Sequence, residues 1–402
     1  MASQTDDVDT KADTKTSTNA EYVETKSSRL RREANAKKAE KDTTRSSTTA
    51  TTLRASSKQQ GVKNATVRDS DFEQNQLKPR GIEILRKWDP TLNASTGPYA
   101  HFASKEPPDL GESCAFYKQV VMDSLEGTVD RTVDDSIFRR MDAGFVQSVH
   151  LGYASLAMLG LPEPEVKIFA FQKLFIGPHA LILKNTERQL CAIRTVEWSI
   201  KADPIKEWYA PPILSRSLPP KPFGFDIYPD TQFWLCDTVL NSRYRPLARQ
   251  VVWVNDMGTF CPYLSIEFKA KLDDTRTVQN QVAAAGSISL YNRYLLKRHA
   301  NVHPTEEQWK SVRHYGLTIE KANWTVWHIE PKLTDDIWCG CKVQRLADGT
   351  CLKEADTLML ISWINEIHRW GLCQYALDCE DDIKRFLSKD SNFRVSTRGV
   401  SD

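Results

Sequence analysis

The chain has 402 residues, with 54 Lys and Arg against 52 Asp and Glu and a formal net charge of +2. So balanced a total excludes a uniformly basic nucleic-acid sleeve and a strongly acidic chain alike. Its apolar runs are too short for a membrane helix and residues 1–20 lack the apolar core of a secretory signal. The expectation is therefore an intracellular protein, nuclear or cytoplasmic, with no membrane partner and with its nine cysteines as thiols.

Residues 1–75 read as a disordered arm rich in Ser, Thr and Lys. Up to Ser70 the only aromatic residue is Tyr22, and Ile, Phe, Trp and Cys are absent. Such a stretch buries too little apolar area to offset the entropy of ordering it. Between Lys26 and Lys41 it carries seven basic residues against two acids. That pattern suits a nuclear import signal or a loose phosphate-binding arm, and equally a solvated segment.

A folded domain is expected over 76–390, with a frayed tail at 391–402. Residues 81–110 are broken by Pro and Gly and read as a segment laid over the domain. Helices are expected from Glu112 to Leu125 and within Asp134–Leu159, with Pro162 and Pro164 ending the helical pattern. Val166–Leu174, Ala180–Leu183 and Leu190–Trp198 read as strands, and Trp208–Pro222 as a proline-rich connector. Strand signals follow at Phe223–Tyr228, Gln250–Val254 and Pro262–Lys269. A helix comes next, about Thr277–Lys297, then a hairpin of Tyr315–Glu320 with Thr325–Glu330. Ile337–Arg345 is a further strand. Lys353–Trp370 is an amphipathic helix with Leu358, Ile361, Ile364 and Ile367 three apart. Asp381–Leu387 is a terminal helix. The pattern is that of an α/β chain.

The segment Cys261–Lys269 carries the sharpest chemistry. In a strand, Leu264, Ile266 and Phe268 point to one face, and Tyr263, Ser265, Glu267 and Lys269 to the other. Glu267 and Lys269 then stand roughly 7 Å apart, two residues of rise. A metal on the carboxylate would sit within reach of a lysine that offsets charge building on a phosphate. A surface Glu/Lys pair is the plainer reading. An upstream acid strengthens the chemical one. Asp226 lies in an aromatic-rich stretch where a lone buried carboxylate would be costly. Two carboxylates sharing a hard cation suit Mg2+ or Mn2+. The helix after the strand holds Gln281 near its start, and Ala283, Ala284, Ala285 and Gly286 allow it close approach to a sheet.

These residues resemble the PD-(D/E)XK nuclease-like superfamily, with a restriction-endonuclease-like fold, and in particular a fungal branch of it with a Glu-x-Lys strand, an Ala-rich helix and a late hairpin. The likeness runs from about Phe223 to Trp370. It implies a mixed central sheet flanked by helices, with the helices from Glu112 supplying the leading layer. It also implies that Asp226 and Glu267 hold Mg2+ or Mn2+, that Lys269 is the catalytic lysine, that Gln281 is the polar helix residue, and that Phe268 offers its backbone carbonyl. The implied partner is nucleic acid, DNA or RNA. Two features depart from the pattern. The family's first acid often follows Pro, whereas Phe225 precedes Asp226. The interval to Glu267 is long, which implies an insertion near 231–246. Asp237 and Asp256 are rivals for the first acid. Without a converging acid the chain would be an inactive scaffold or regulator on the same fold.

Other patterns are weaker. Cys339, Cys341 and Cys351 lack the paired knuckles of a zinc site. Arg293, Lys297, Arg298, Lys310 and Arg313, near Tyr291, Tyr294 and Trp309, suit either a nucleic-acid backbone or a solvated helix face.

Overall fold

A strand buried on both faces organises the domain, and the residues flanking it in sequence supply the layers that bury it. The computed structural model describes residues 64–87, 97–124, 132–133, 135–177, 189–269, 275–301 and 303–389. In chain order the main elements are β1 (Ile82–Leu85), α1 (Ser113–Asp123), α2 (Ala143–Leu159), α3 (Glu163–Lys173), β2 (Ala192–Val196), β3 (Thr231–Cys236) and β4 (Thr259–Lys269). They continue with α4 (Thr275–Ala300), β5 (His314–Glu320), β6 (Asn323–Thr334), β7 (Ile337–Thr350), α5 (Glu354–Trp370) and α6 (Ala376–Lys389).

The seven strands form one mixed sheet in the order β1-β7-β6-β5-β4-β3-β2. β2, β3 and β4 run antiparallel in sequence. β4 and β5 are parallel, so a crossover is required, and α4 provides it. β6 and β7 then return as a long antiparallel pair, and β1 adds in parallel to β7 at the edge. The α/β class and the helix-flanked mixed sheet agree with the sequence reading.

Every residue of β4 is buried, which excludes the surface-strand reading of Glu267 and Lys269. Phe268 packs on Phe171 of α3 and on Phe175 just beyond it, with ring centres 5.6 and 6.2 Å away. Alternation turns Ser265, Glu267 and Lys269 to the opposite face. There Trp234 clusters with Val282, Ala283 and Ile288 of α4. Helix and sheet approach closely because side chains are missing between them. A Cβ on Gly316 would stand 2.4 Å from Val282, and one on Gly286 2.1 Å from Ile329. Pro262 is tolerated inside β4 because the β3 register shifts opposite it, at Trp234.

Several elements differ from expectation. Val166–Leu174 lies mostly within a helix, α3, and not in a strand. Pro162 caps that helix and Pro164 occupies its first turn, with Glu163 and Glu165 beside it. Proline is well placed there because the first N–H groups have no helical partner, and acids complement the positive end. Phe223–Tyr228 and Gln250–Val254 form no strand; the first is pinned by Phe223 against Phe225, 4.8 Å between ring centres. The expected insertion near 231–246 instead holds β3, an integral strand. Ala180–Leu183 lies outside the described residues, as do 1–63 and 390–402.

The folded domain also starts earlier than 76. Ala65 and Phe72 are buried, and the Ala65 N–H donates to the Pro222 carbonyl at 2.9 Å. Phe72 meets Phe223 edge-on, 4.8 Å between ring centres. A single aromatic anchor thus holds a polar stretch that composition assigns to the arm. Phe72→Ala should therefore destabilise the domain by about 3–5 kcal/mol, the usual cost of emptying a buried Phe site. Urea unfolding of both proteins measures it, and a change under about 1 kcal/mol would show that the segment is not anchored there.

Candidate active site

At the C-terminal end of β4, two carboxyl groups and two lysines meet. Asp230 stands one residue before β3. The register that pairs Thr231 with Ile266 places Asp230 across from Glu267. One Asp230 oxygen accepts the Phe268 N–H at 2.7 Å, which extends the ladder by a side chain. The other accepts Lys167 Nζ of α3 at 2.5 Å. Lys167 also reaches Glu163 and Glu197, each at 3.4 Å. Lys269 Nζ donates to the Phe268 carbonyl at 2.6 Å and lies 3.8 Å from Glu163.

Glu267 is 1% exposed, and its Oε2 has no hydrogen-bond partner. Burial pushes its pKa well above the ordinary carboxyl range, and the Asp230 carboxyl beside it pushes further. Lys269 and Lys167 oppose this without overcoming it. Burial and the facing Asp230 thus favour the neutral form of Glu267 over the charged one. Burial alone would lower the Lys167 pKa, but Asp230 and Glu163 outweigh it and hold the ammonium above its usual value.

The residues expected from sequence divide as follows. Glu267 and Lys269 share the site. Asp226 does not join them: it is exposed, and Ser199 Oγ reaches it at 3.5 Å. Asp230, four residues later, occupies the position beside Glu267. Asp256 is exposed in the turn before β4, at the strand's other end. Asp237 lies just past the end of β3 that is remote from Asp230, against Gly258. Gln281 is half-buried on α4, and its Oε1 has no partner; no described bond ties it to the carboxyl pair. Glu163 and Lys167 were missed because Pro162 and Pro164, on either side of Glu163, read as a stop. Asp230 was missed despite a usable signal, the dipeptide Pro229-Asp230.

The donor atoms suit a hard cation: two carboxyl groups, one with a buried unpartnered oxygen, and the Phe268 carbonyl. Two of these groups already have a partner, Lys167 on Asp230 and Lys269 on the carbonyl. Among the described residues no group of three or more His, Cys, Asp or Glu is arranged to hold a metal ion. That holds for the cysteines too; all nine are free thiols. The basic cluster on α4 is only partly an open surface: Arg298 is exposed, where it donates to the Asp336 carbonyl. Arg293 and Lys297 are buried against Asp378 and Asp382, with Lys297 Nζ 2.5 Å from Asp378 and Arg293 2.7 Å from Asp382. Arg313 lies over the Trp370 ring, and Lys310 pairs with Glu306 and Glu307. Among the described residues, no helix is long and apolar enough to cross a membrane.

No family model, curated protein or solved structure matches the chain.

An acid whose pKa is raised by folding favours the fold most at low pH and loses that contribution as pH rises from the ordinary carboxyl value through the folded one. Gln at position 267 carries the uncharged form at every pH. Metal-free Glu267→Gln should match wild type near pH 4 and exceed its stability at pH 8 by at least about 1 kcal/mol. Chemical unfolding at both pH values reads this, and equal stability at pH 8 would remove the buried acid from the account.

Proposed function

We propose that the chain is a metal-dependent phosphodiesterase acting on nucleic acid. The observation that carries this reading is the buried Asp230–Glu267 carboxyl pair with Lys269 two residues further along the same strand. The restriction-endonuclease-like core belongs to the same proposal. It is supported by an antiparallel three-stranded run that ends on Glu267-Phe268-Lys269, followed by an Ala-rich helix crossing to a parallel strand and then a hairpin. Pro229-Asp230 supplies the proline-acid order that Asp226 lacks, and α3 stands as the leading helix.

Asp230 and Glu267 would hold Mg2+ or Mn2+, with the Phe268 carbonyl as a third oxygen donor. Such an ion, when bound, polarises a phosphoryl oxygen and lowers the pKa of water. Lys269, two residues along the same strand, would offset the negative charge that builds on the phosphate. Lys167 must give up Asp230, and Glu163 and Glu197 are positioned to keep its ammonium. Glu267 must lose its proton, so loading improves as pH rises.

A second reading is an inactive scaffold on the same core. Its support is specific: Lys167 already neutralises Asp230, and the described residues include no three-ligand group. The two readings separate in one assay. With Mn2+ or Mg2+, wild type should cleave DNA or RNA, and Lys269→Met and Asp230→Asn should each lose about 10²–10³ in rate. Asp226→Asn should cleave within about twofold of wild type. Wild type that cleaves no nucleic acid with either ion would favour the scaffold, and full activity in Asp230→Asn would move the site elsewhere.

A further inference from the structure

A cleft of about 680 Å³ lies beside the edge strand β2, between the chain that leaves it and the turn preceding β4. Its size falls within the range of small-ligand clefts. It begins where the candidate site ends. Glu197 donates its N–H to the Asp230 carbonyl, and the next residue, Trp198, lines the cleft. Across from it stands Trp253, fixed by Trp208 and Trp234 with ring centres 5.0 and 5.5 Å away. Both indoles are half-buried and neither is enclosed. Lys201 and Arg249 add exposed positive charge, and Arg249 also acts on the Asp237 carboxyl. Asn255 is 2% exposed and lines the same cleft. Its Oδ1 accepts the Met257 and Thr259 N–H groups, while its Nδ2 has no partner. Two acids are also present. Asp203 is matched by Lys206 at 3.7 Å, and Asp256 is exposed at the rim.

A rigid aromatic face, a buried unpartnered donor and exposed cations are what an unstacked base and its phosphate require. We propose that this cleft binds a single-stranded nucleic-acid segment, stacking a base on Trp198 or Trp253 and holding its phosphate with Lys201 and Arg249. The proposal deepens the nuclease reading and rests on it, because it names the strand form of the substrate. A duplex keeps its bases stacked and offers none to an indole, so discrimination against duplex follows.

Binding is measured without catalysis, with the full chain in EDTA, so that failure here is distinct from failure to cleave. Residues 1–63 hold no tryptophan, so quenching of intrinsic indole fluorescence reports on the domain and not on the basic arm. Ten-nucleotide oligo-dT should quench saturably and bind at least about tenfold more tightly than a duplex of the same length. Trp198→Ala and Arg249→Ala should each weaken binding by at least about fivefold, the low end for losing one stacked base or close charge. Lys310→Ala, which removes an exposed charge elsewhere, should bind as wild type. If Trp198→Ala does not fold, Arg249→Ala decides. Absence of saturable quenching, equal affinity for duplex, or variants weakened less than fivefold would overturn the proposal.

Discussion

Burying β4 on both faces is the constraint from which the rest follows. An interior strand normally excludes charge, because a desolvated carboxylate is strongly disfavoured. Glu267 sits in such a strand; Lys167 and Lys269 offset part of that penalty, while the facing Asp230 adds to it. Asp230 faces it, Lys167 neutralises Asp230, and Lys269 caps the strand's end. Each of those groups depends on a different layer. Asp230 needs the β3–β4 register, Lys167 needs α3 to begin beside the end of β4, and Lys269 needs alternation to hold to the last residue. The helix packing that keeps β4 dry therefore also builds the site.

Much of this was legible in sequence wherever pattern and burial coincide. The Glu267–Lys269 strand, the Ala-rich α4, the late hairpin and the amphipathic α5 all announce themselves by period. What was not legible depends on context. Pro162 and Pro164 can end one helix or begin another, and only the acids after them distinguish the cases. That single misreading hid Glu163 and Lys167. Phe223 and Phe225 suggested a strand around Asp226, yet they pack against Phe72 as a non-strand cluster and leave Asp226 exposed. The acid that stands across from Glu267 lies four residues on, just before the fully buried strand β3. Phe72 itself could not be weighed from composition, since one anchor in a polar stretch barely alters an average.

The basic residues teach the same lesson from the other side. Arg293 and Lys297 look like a nucleic-acid stripe in sequence, but they are fixed in a buried ionic group that joins α4 to α6. Their charge is internally balanced, and removing one partner would leave the others buried and unpaired. Exposed positive charge also lies near β2, at Lys201 and Arg249, in a region whose lysines and tryptophans have no sequence period.

The central proposal is that the Asp230–Glu267 carboxyl pair, with burial favouring the neutral form of Glu267, takes up a divalent cation and gives up a proton. Calorimetric titration of Mn2+ into the full chain at pH 7, in two buffers of different ionisation enthalpy, tests it most directly. The account predicts one bound ion and release of about one proton, since a ligand must be deprotonated to bind metal, with both lost in Glu267→Gln. Failure to bind, binding without proton release, or unchanged binding in Glu267→Gln would contradict it.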